Sequence, residues 1–173
     1  AGRDQFEAEF AKDQAPAQPA APAAAPGSPR IVIIGGGIAG LSAAESARKA
    51  APGAQITLAG KEPDFPYYRL NLTRYLSGET DEFSLLIHQP KWYEEQRIEV
   101  VTGAEAIEIS PAKKTVVLRS GRELPYDRLI LAQGAHANIP PFPGQRLEGV
   151  FAIRSFHDAH LVLNALRAHP RCV

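Results

Sequence analysis

The 173-residue chain has no methionine, one cysteine and one tryptophan. With Cys172 as its only thiol, it can hold neither an internal disulfide framework nor a metal site built on clustered cysteines. Neither sign of charge dominates, since Lys and Arg total 19 and Asp and Glu total 19. With no basic block either, nucleic acid and anionic membrane are poor candidates for a main partner. No apolar run approaches the length of a membrane span. The Ala-rich N-terminal stretch is broken by prolines and lacks a basic leader, so it reads poorly as a signal peptide. These absences describe a cytoplasmic chain of one domain plus appendages, long enough to bury a core. Position 1 lacks methionine and both ends are abrupt, with "HPRCV" reading as the start of a further strand. A piece of a longer protein is therefore expected.

The five histidines show no metal-ligand spacing, and no Ser-His-Asp or paired-carboxylate constellation stands out. No metal site and no acid–base catalytic residue are assigned.

What is present begins at "IVIIGGGIAGLSAAESARKAAPGAQITLAGKE". Ile31 to Ile34 is a short, wholly apolar, β-branched run, as in a parallel strand covered on both faces. Gly35, Gly37 and Gly40 follow in G-x-G-x-x-G spacing: a tight turn, a close backbone approach for a pyrophosphate, and close helix–strand packing. A helix with a small-residue face runs on from Ile38 and Ala39. Arg48 and Lys49 near its end complement the dipole, and Pro52-Gly53 stops it. A second apolar strand covers Gln55 to Ala59. Glu62 then stands near where this motif places a ribose-binding acid, about 20 residues after the glycines. No G-K-[ST] follows the glycines, so the turn is not an NTPase phosphate loop. Strand, turn, helix, strand and acid in order form a dinucleotide-binding βαβ unit.

Residues 12–29 form a Pro/Ala-rich linker, a semi-rigid polyproline spacer. Beyond Glu62, prolines and tyrosines make a loop. Short helices are expected at Leu72 to Leu76 and Pro90 to Gln96, and a strand at Arg97 to Gly103. "AEAIEIS", "KTVVLRS" and "RELPY" alternate apolar and polar residues, with turns at Ser110-Pro111 and Ser120-Gly121, predicting a half-exposed antiparallel meander. "DRLILAQG" reads as another buried parallel strand. The fold class is α/β: a Rossmann-like parallel sheet with helices on both faces plus a small antiparallel meander, apparently incomplete. Trp92, Tyr93, Tyr67 and Tyr68 are read as core packing or cofactor shielding rather than a base-stacking platform.

The order of these parts resembles the FAD-dependent pyridine nucleotide-disulfide oxidoreductase superfamily. "FPYYRLNLTRYL" is similar to a loop of its rubredoxin reductases, oxygenase ferredoxin reductases and nitrite reductase flavoproteins. The resemblance implies an FAD-binding first segment over residues 30–150, and over 151–173 a crossover helix and the start of an absent NAD(P)-binding domain. It places Gly35, Gly37, Ile38, Ala39 and Gly40 on the FAD pyrophosphate and Glu62 on the ribose or adenine side, with Lys61 beside it. Arg69 would meet the flavin's phosphate or ring side, and Arg74 would lie near the flavin N5. Ala104 would contact adenine through its backbone. Ala132, Gln133 and Gly134 would form the return past the flavin, with Gln133 replacing the family's threonine.

Residues 1–11, "AGRDQFEAEFA", resemble the tail of a rubredoxin, which the linker would tether. Leu70 stands where some relatives carry a redox cysteine, so no thiol relay adjoins the flavin. The implied function is passage of electrons from NAD(P)H through FAD to a one-electron acceptor such as rubredoxin. Alternatives are an electron-transfer component of a nitrite or nitrate reductase, and a non-catalytic FAD- or NAD-binding module.

Overall fold

The computed structural model describes residues 27–168. The rubredoxin-like segment, nearly all of the Pro/Ala linker and Cys172 lie outside the described residues. Strand β1 (Arg30–Ile34) is followed by helix α1 (Ile38–Ala50) and strand β2 (Gln55–Ala59). A single 3-10 turn at Arg69–Asn71 leads into three short helices, α2 (Leu72–Leu76), α3 (Glu82–Leu85) and α4 (Pro90–Glu95). Strands β3 (Ile98–Val101), β4 (Ala106–Ser110), β5 (Thr115–Leu118), β6 (Glu123–Pro125) and β7 (Arg128–Leu131) precede helix α5 (Phe156–Ala168).

The strands form two sheets, a parallel one in the order β3-β2-β1-β7 and an antiparallel meander β4-β5-β6. Ile33 sits between Leu58 and Ile130 in register. Side chains alternate across a strand, so β1 serves two cores. Ile33 packs with Leu41 and Ala44 of α1 and with Ile56, Leu58 and Tyr93. Val32 and Ile34 face the other way, onto Val116, Leu118, Leu124 and Tyr126 of the meander region. That double burial is why Ile31 to Ile34 carries no polar residue.

Arg48 ends α1 as its position requires. Its guanidinium donates to the carbonyls of Pro52, Ala54, Gln96 and Arg97 at 2.7–2.9 Å. Orphan carbonyls at a helix end and in the following turn are thus satisfied by one cation.

β7 differs from the sequence expectation. It is parallel, as read, but among the described residues it bonds only to β1, and Leu131 is 51% exposed. Its apolar composition suits a covered strand, while its place here is the sheet edge. The Arg30–Asp127 pair fastens it to β1: the Arg30 N–H donates to Asp127 at 2.8 Å, and the guanidinium pairs with the same carboxylate at 3.1 Å. The meander is half-exposed, with Ile107 on the surface and Val116 fully buried. No helix among the described residues is long and apolar enough to cross a membrane.

Candidate dinucleotide site

The four parallel strands end on the same side of the sheet, and the connections leaving them meet there. Gly35 leaves β1 with φ +124°, a region closed to side chains. A Cβ at Gly35 would lie 2.0 Å from the Ala132 carbonyl oxygen, just beyond β7. Gly36 and Gly60 approach so closely that a Cβ on either would come within 3.3 Å of the other's Cα. A Cβ on Gly40 would strike the Gly35 carbonyl oxygen at 1.8 Å. Those three contacts close the turn against β2, β7 and α1.

Gly37 behaves differently. It has φ −86° and ψ −176° at the start of α1, and a Cβ there would meet nothing within 4 Å. No side chain caps this helix end, and its first turn carries no acid. The first N–H groups of a helix have no partner within it and carry the positive end of its dipole. The chain therefore leaves open space in front of donors of positive potential, as an anion requires.

That space belongs to a cavity of about 910 Å³, at the upper end of the ~300–1,000 Å³ usual for small-molecule sites. Gly35, Gly37, Ile38 and Ala39 line its α1 end. Lys61, Glu62 and Arg69 line it from the segment after β2, Ala104 from that after β3, and Ala132, Gln133 and Gly134 from that after β7. Gly40 is behind this surface, in the helix–strand contact. Arg74 is not brought to the cavity: from an exposed position on α2 it pairs with Glu79 at 3.2 Å. Continuing the loop into the 3-10 turn and α2 carries Arg74 away from the wall that Arg69 occupies.

The Glu62 carboxylate is held from two sides. The Tyr67 hydroxyl donates to one oxygen at 2.6 Å, and the Arg69 guanidinium forms an ion pair with the other. Burial first, and then the bond to Glu62, push the Tyr67 hydroxyl well above its ordinary value, so it stays a donor. Tyr67 also accepts from the buried Phe156 N–H at 3.2 Å, and Arg69 donates to the Arg154 carbonyl. Lys61 pairs with Glu105 at 3.2 Å, and Arg119 holds the same carboxylate at 2.6 Å. Arg119 and Lys61 together keep that acid below the usual carboxylate range.

Sequence reasoning did not assign Asp64, Glu105 or Arg154 to the lining, and all three are there. Arg154 precedes α5, where Ser155 and Asp158 cap one another's backbone N–H groups at 2.8 and 3.2 Å, a reciprocal capping box. S-x-x-D at Ser155 was the available signal. The Arg154 guanidinium donates to the Ala135 carbonyl at 2.8 Å, which holds it at the cavity wall. Trp92 and Tyr93 belong to the core on the other face of the sheet, whereas Tyr67 and Tyr68 line the cavity. Among the described residues, no group of three His, Cys, Asp or Glu side chains is placed to hold a metal ion.

The pyridine nucleotide-disulphide oxidoreductase family matches this sequence over residues 29–172. The chain belongs to that family. Its members use FAD and NAD(P)H. The chain is 36% identical over 146 residues to the NAD(P)H nitrite reductase of Bacillus subtilis (strain 168), a match covering 84% of this chain and 18% of that protein. It is 36% identical over 132 residues to the NADH-rubredoxin oxidoreductase of Clostridium acetobutylicum, covering 76% of this chain and 34% of the relative. The crystal structure of NADH:rubredoxin oxidoreductase from C. acetobutylicum superposes with a TM-score of 0.73 at 33% identity, over 82% of this chain and 36% of the other. The chain thus spans about a third or less of the length of these relatives.

Proposed function

We propose that this chain forms the FAD-holding part of a flavoprotein that moves electrons from NAD(P)H to a one-electron iron carrier of the rubredoxin kind. The observation that carries the reading is the open space over Gly37, at an uncapped helix end facing a cavity that is also lined by three acids, a lysine and two arginines. The residues fit the group. Pyrophosphate oxygens suit the N–H groups of Ile38 and Ala39, with Gly35 and Gly40 fixing the turn from behind. Glu62 uses two of its roughly four acceptor positions on Tyr67 and Arg69, leaving acceptors for ribose hydroxyls. Lys61 and the Ala104 backbone suit the adenine end, and Arg69 offers a cation beside the same acid. Ala132, Gln133 and Gly134 close the β7 side.

Bound there, FAD supplies hydride acceptance from a nicotinamide and stepwise release of single electrons. The chain's own part is to bind, orient and shield it: the carbonyls and N–H groups of the glycine turn are fixed by the sheet, and Tyr68 and Leu70 line the mouth. An iron carrier is favoured as acceptor because Leu70, not a thiol, stands in that lining. The likeness to an NADH-rubredoxin oxidoreductase supports rubredoxin.

A second reading rests on the equally similar nitrite reductase, with the same cofactor and a different acceptor. Acid release of the cofactor from the purified polypeptide, followed by chromatography, tests the first step. FAD supports the reading, and NAD or no nucleotide refutes it. NADH-driven reduction of rubredoxin against nitrite reduction then separates the two acceptors.

A further inference from the structure

Two charged residues of the cavity lining stand outside its ion pairs. Lys61 is matched by Glu105, and Arg69 by Glu62. Among the described residues the Arg154 guanidinium has no carboxylate partner, and Asp64 has neither a hydrogen bond nor an ion pair. Asp64 is half-buried in the cavity lining. Glu62 faces it from its own loop, Glu82 from α3, and His160 from α5, with Arg69 also within its field. Burial, and after it the Glu62 and Glu82 carboxylates, raise its proton affinity, against smaller opposing effects of His160 and Arg69.

A dinucleotide seated at the α1 end would bring two negative pyrophosphate charges into the same cavity that Asp64 lines, and would take the place of water in it. An ionised, unpaired carboxylate is then both repelled and further desolvated. Its neutral form loses the repulsion and gains one O–H donor for an acceptor oxygen. We infer that Asp64 takes up a proton when the cavity receives its dinucleotide, so that cofactor loading is proton-linked and weakens as pH rises. This rests on the FAD reading above.

The neighbours narrow the assignment. Tyr67 is held protonated by burial and by Glu62, and Tyr75 is pushed up to about 12 by burial and Glu82. Glu62 already accepts from two donors, and Asp158 is occupied by Ser155 and the Arg154 N–H. Glu82 accepts from Tyr75 at 2.8 Å and lies 2.8 Å from His160 Nε2. His160 is the competing candidate, because its imidazole is the other ionisable group that α5 brings toward Asp64.

Calorimetric titration of the apo-polypeptide with FAD, in two buffers of different ionisation enthalpy between about pH 5 and 7.5, counts the protons. We expect uptake to peak at about half a proton or more, with affinity falling about threefold per pH unit there. Asp64→Asn should bind FAD with no uptake and a flat pH profile, and His160→Gln should keep the uptake. Zero uptake in the wild type, uptake surviving in Asp64→Asn, or uptake lost in His160→Gln each overturns the inference. Should Asp64→Asn not fold, the wild-type count and His160→Gln still decide it. FAD bound with a flat profile refutes this inference alone, whereas FAD failing to bind at any pH refutes the FAD reading as well.

Discussion

Replacing Gly35 and Gly37 in turn by alanine separates a glycine needed by the fold from one needed only by a ligand. At Gly35 the backbone sits at φ +124°, and the added carbon would lie 2.0 Å from the Ala132 carbonyl oxygen and 2.4 Å from its carbon. That carbonyl cannot retreat freely, because the Ala132 N–H donates to Ile34 at 2.7 Å in continuation of the β1–β7 ladder. The backbone conformation costs about 1–3 kcal/mol and the overlap about 1–3 more. Together these are a large share of the ~5–15 kcal/mol that holds a domain folded. At Gly37 the backbone suits any residue, and nothing lies within 4 Å of the added carbon. The fold should lose no more than about 1 kcal/mol there, the difference between glycine and alanine at a helix N-cap.

Binding should behave in the opposite way. The Gly37→Ala methyl occupies space in front of the α1 N–H groups, and losing one charge-assisted hydrogen bond costs about 1.5–3 kcal/mol, or about 10- to 100-fold in Kd. Thermal unfolding followed by circular dichroism, and FAD titration followed by quenching of its fluorescence, measure the two quantities. Gly35→Ala should lower Tm by roughly 5–20 °C or abolish folding. Gly37→Ala should stay within about 4 °C of the wild type and bind FAD at least about tenfold more weakly. Wild-type affinity in Gly37→Ala would refute the placement of the pyrophosphate at α1. Wild-type stability in Gly35→Ala would refute the packing argument.

Other positions give shorter tests. Arg74→Ala should leave FAD affinity within about twofold, because Arg74 is engaged with Glu79 outside the cavity; a tenfold loss by the same titration would return it to the site. Asp127→Asn should lower Tm at neutral pH. The Arg30 side chain and N–H hold the Asp127 carboxyl down to about 2, so this stabilisation is present above the ordinary carboxylate value and disappears as pH falls from about 4 toward about 2. Melting curves across that interval should converge for the two proteins. Tyr93→Phe should cost nothing and gain up to about 1 kcal/mol in denaturant titration, since the buried Tyr93 hydroxyl has no hydrogen-bond partner. Tyr67→Phe should cost about 1–3 kcal/mol in the same assay, because it strips both the Phe156 N–H and a Glu62 oxygen of their partner.

The elements legible in the sequence are those whose physics is local. The apolar run of β1, the glycine spacing, the small face of α1 and the alternation of β5 each register within a few residues. The place of Glu62 in the cavity lining was legible for a related reason: the βαβ unit fixes how much chain separates the glycine turn from the end of the second strand. The expectation for Arg74 rests on the likeness of a loop motif, and a loop motif does not say on which side of α2 a side chain emerges. β7 was read as buried from composition, but burial depends on what lies beside a strand, and composition reports only what it is suited to meet.

The electrostatics of the cavity are non-local in a stronger sense. Arg69 reaches the Arg154 carbonyl across 85 positions, and Phe156 reaches Tyr67 across 89. The segment that carries Arg154 to the wall thus meets Arg69 and Tyr67, and nothing near residue 154 encodes either. Asp64 looks in the sequence like a surface acid in a proline-rich loop. It becomes a distinct group only after Arg69 has taken Glu62, Lys61 has taken Glu105, and α5 has brought His160 toward it. An unpaired charge is what remains after every partnership has formed, so it is read from the folded arrangement last.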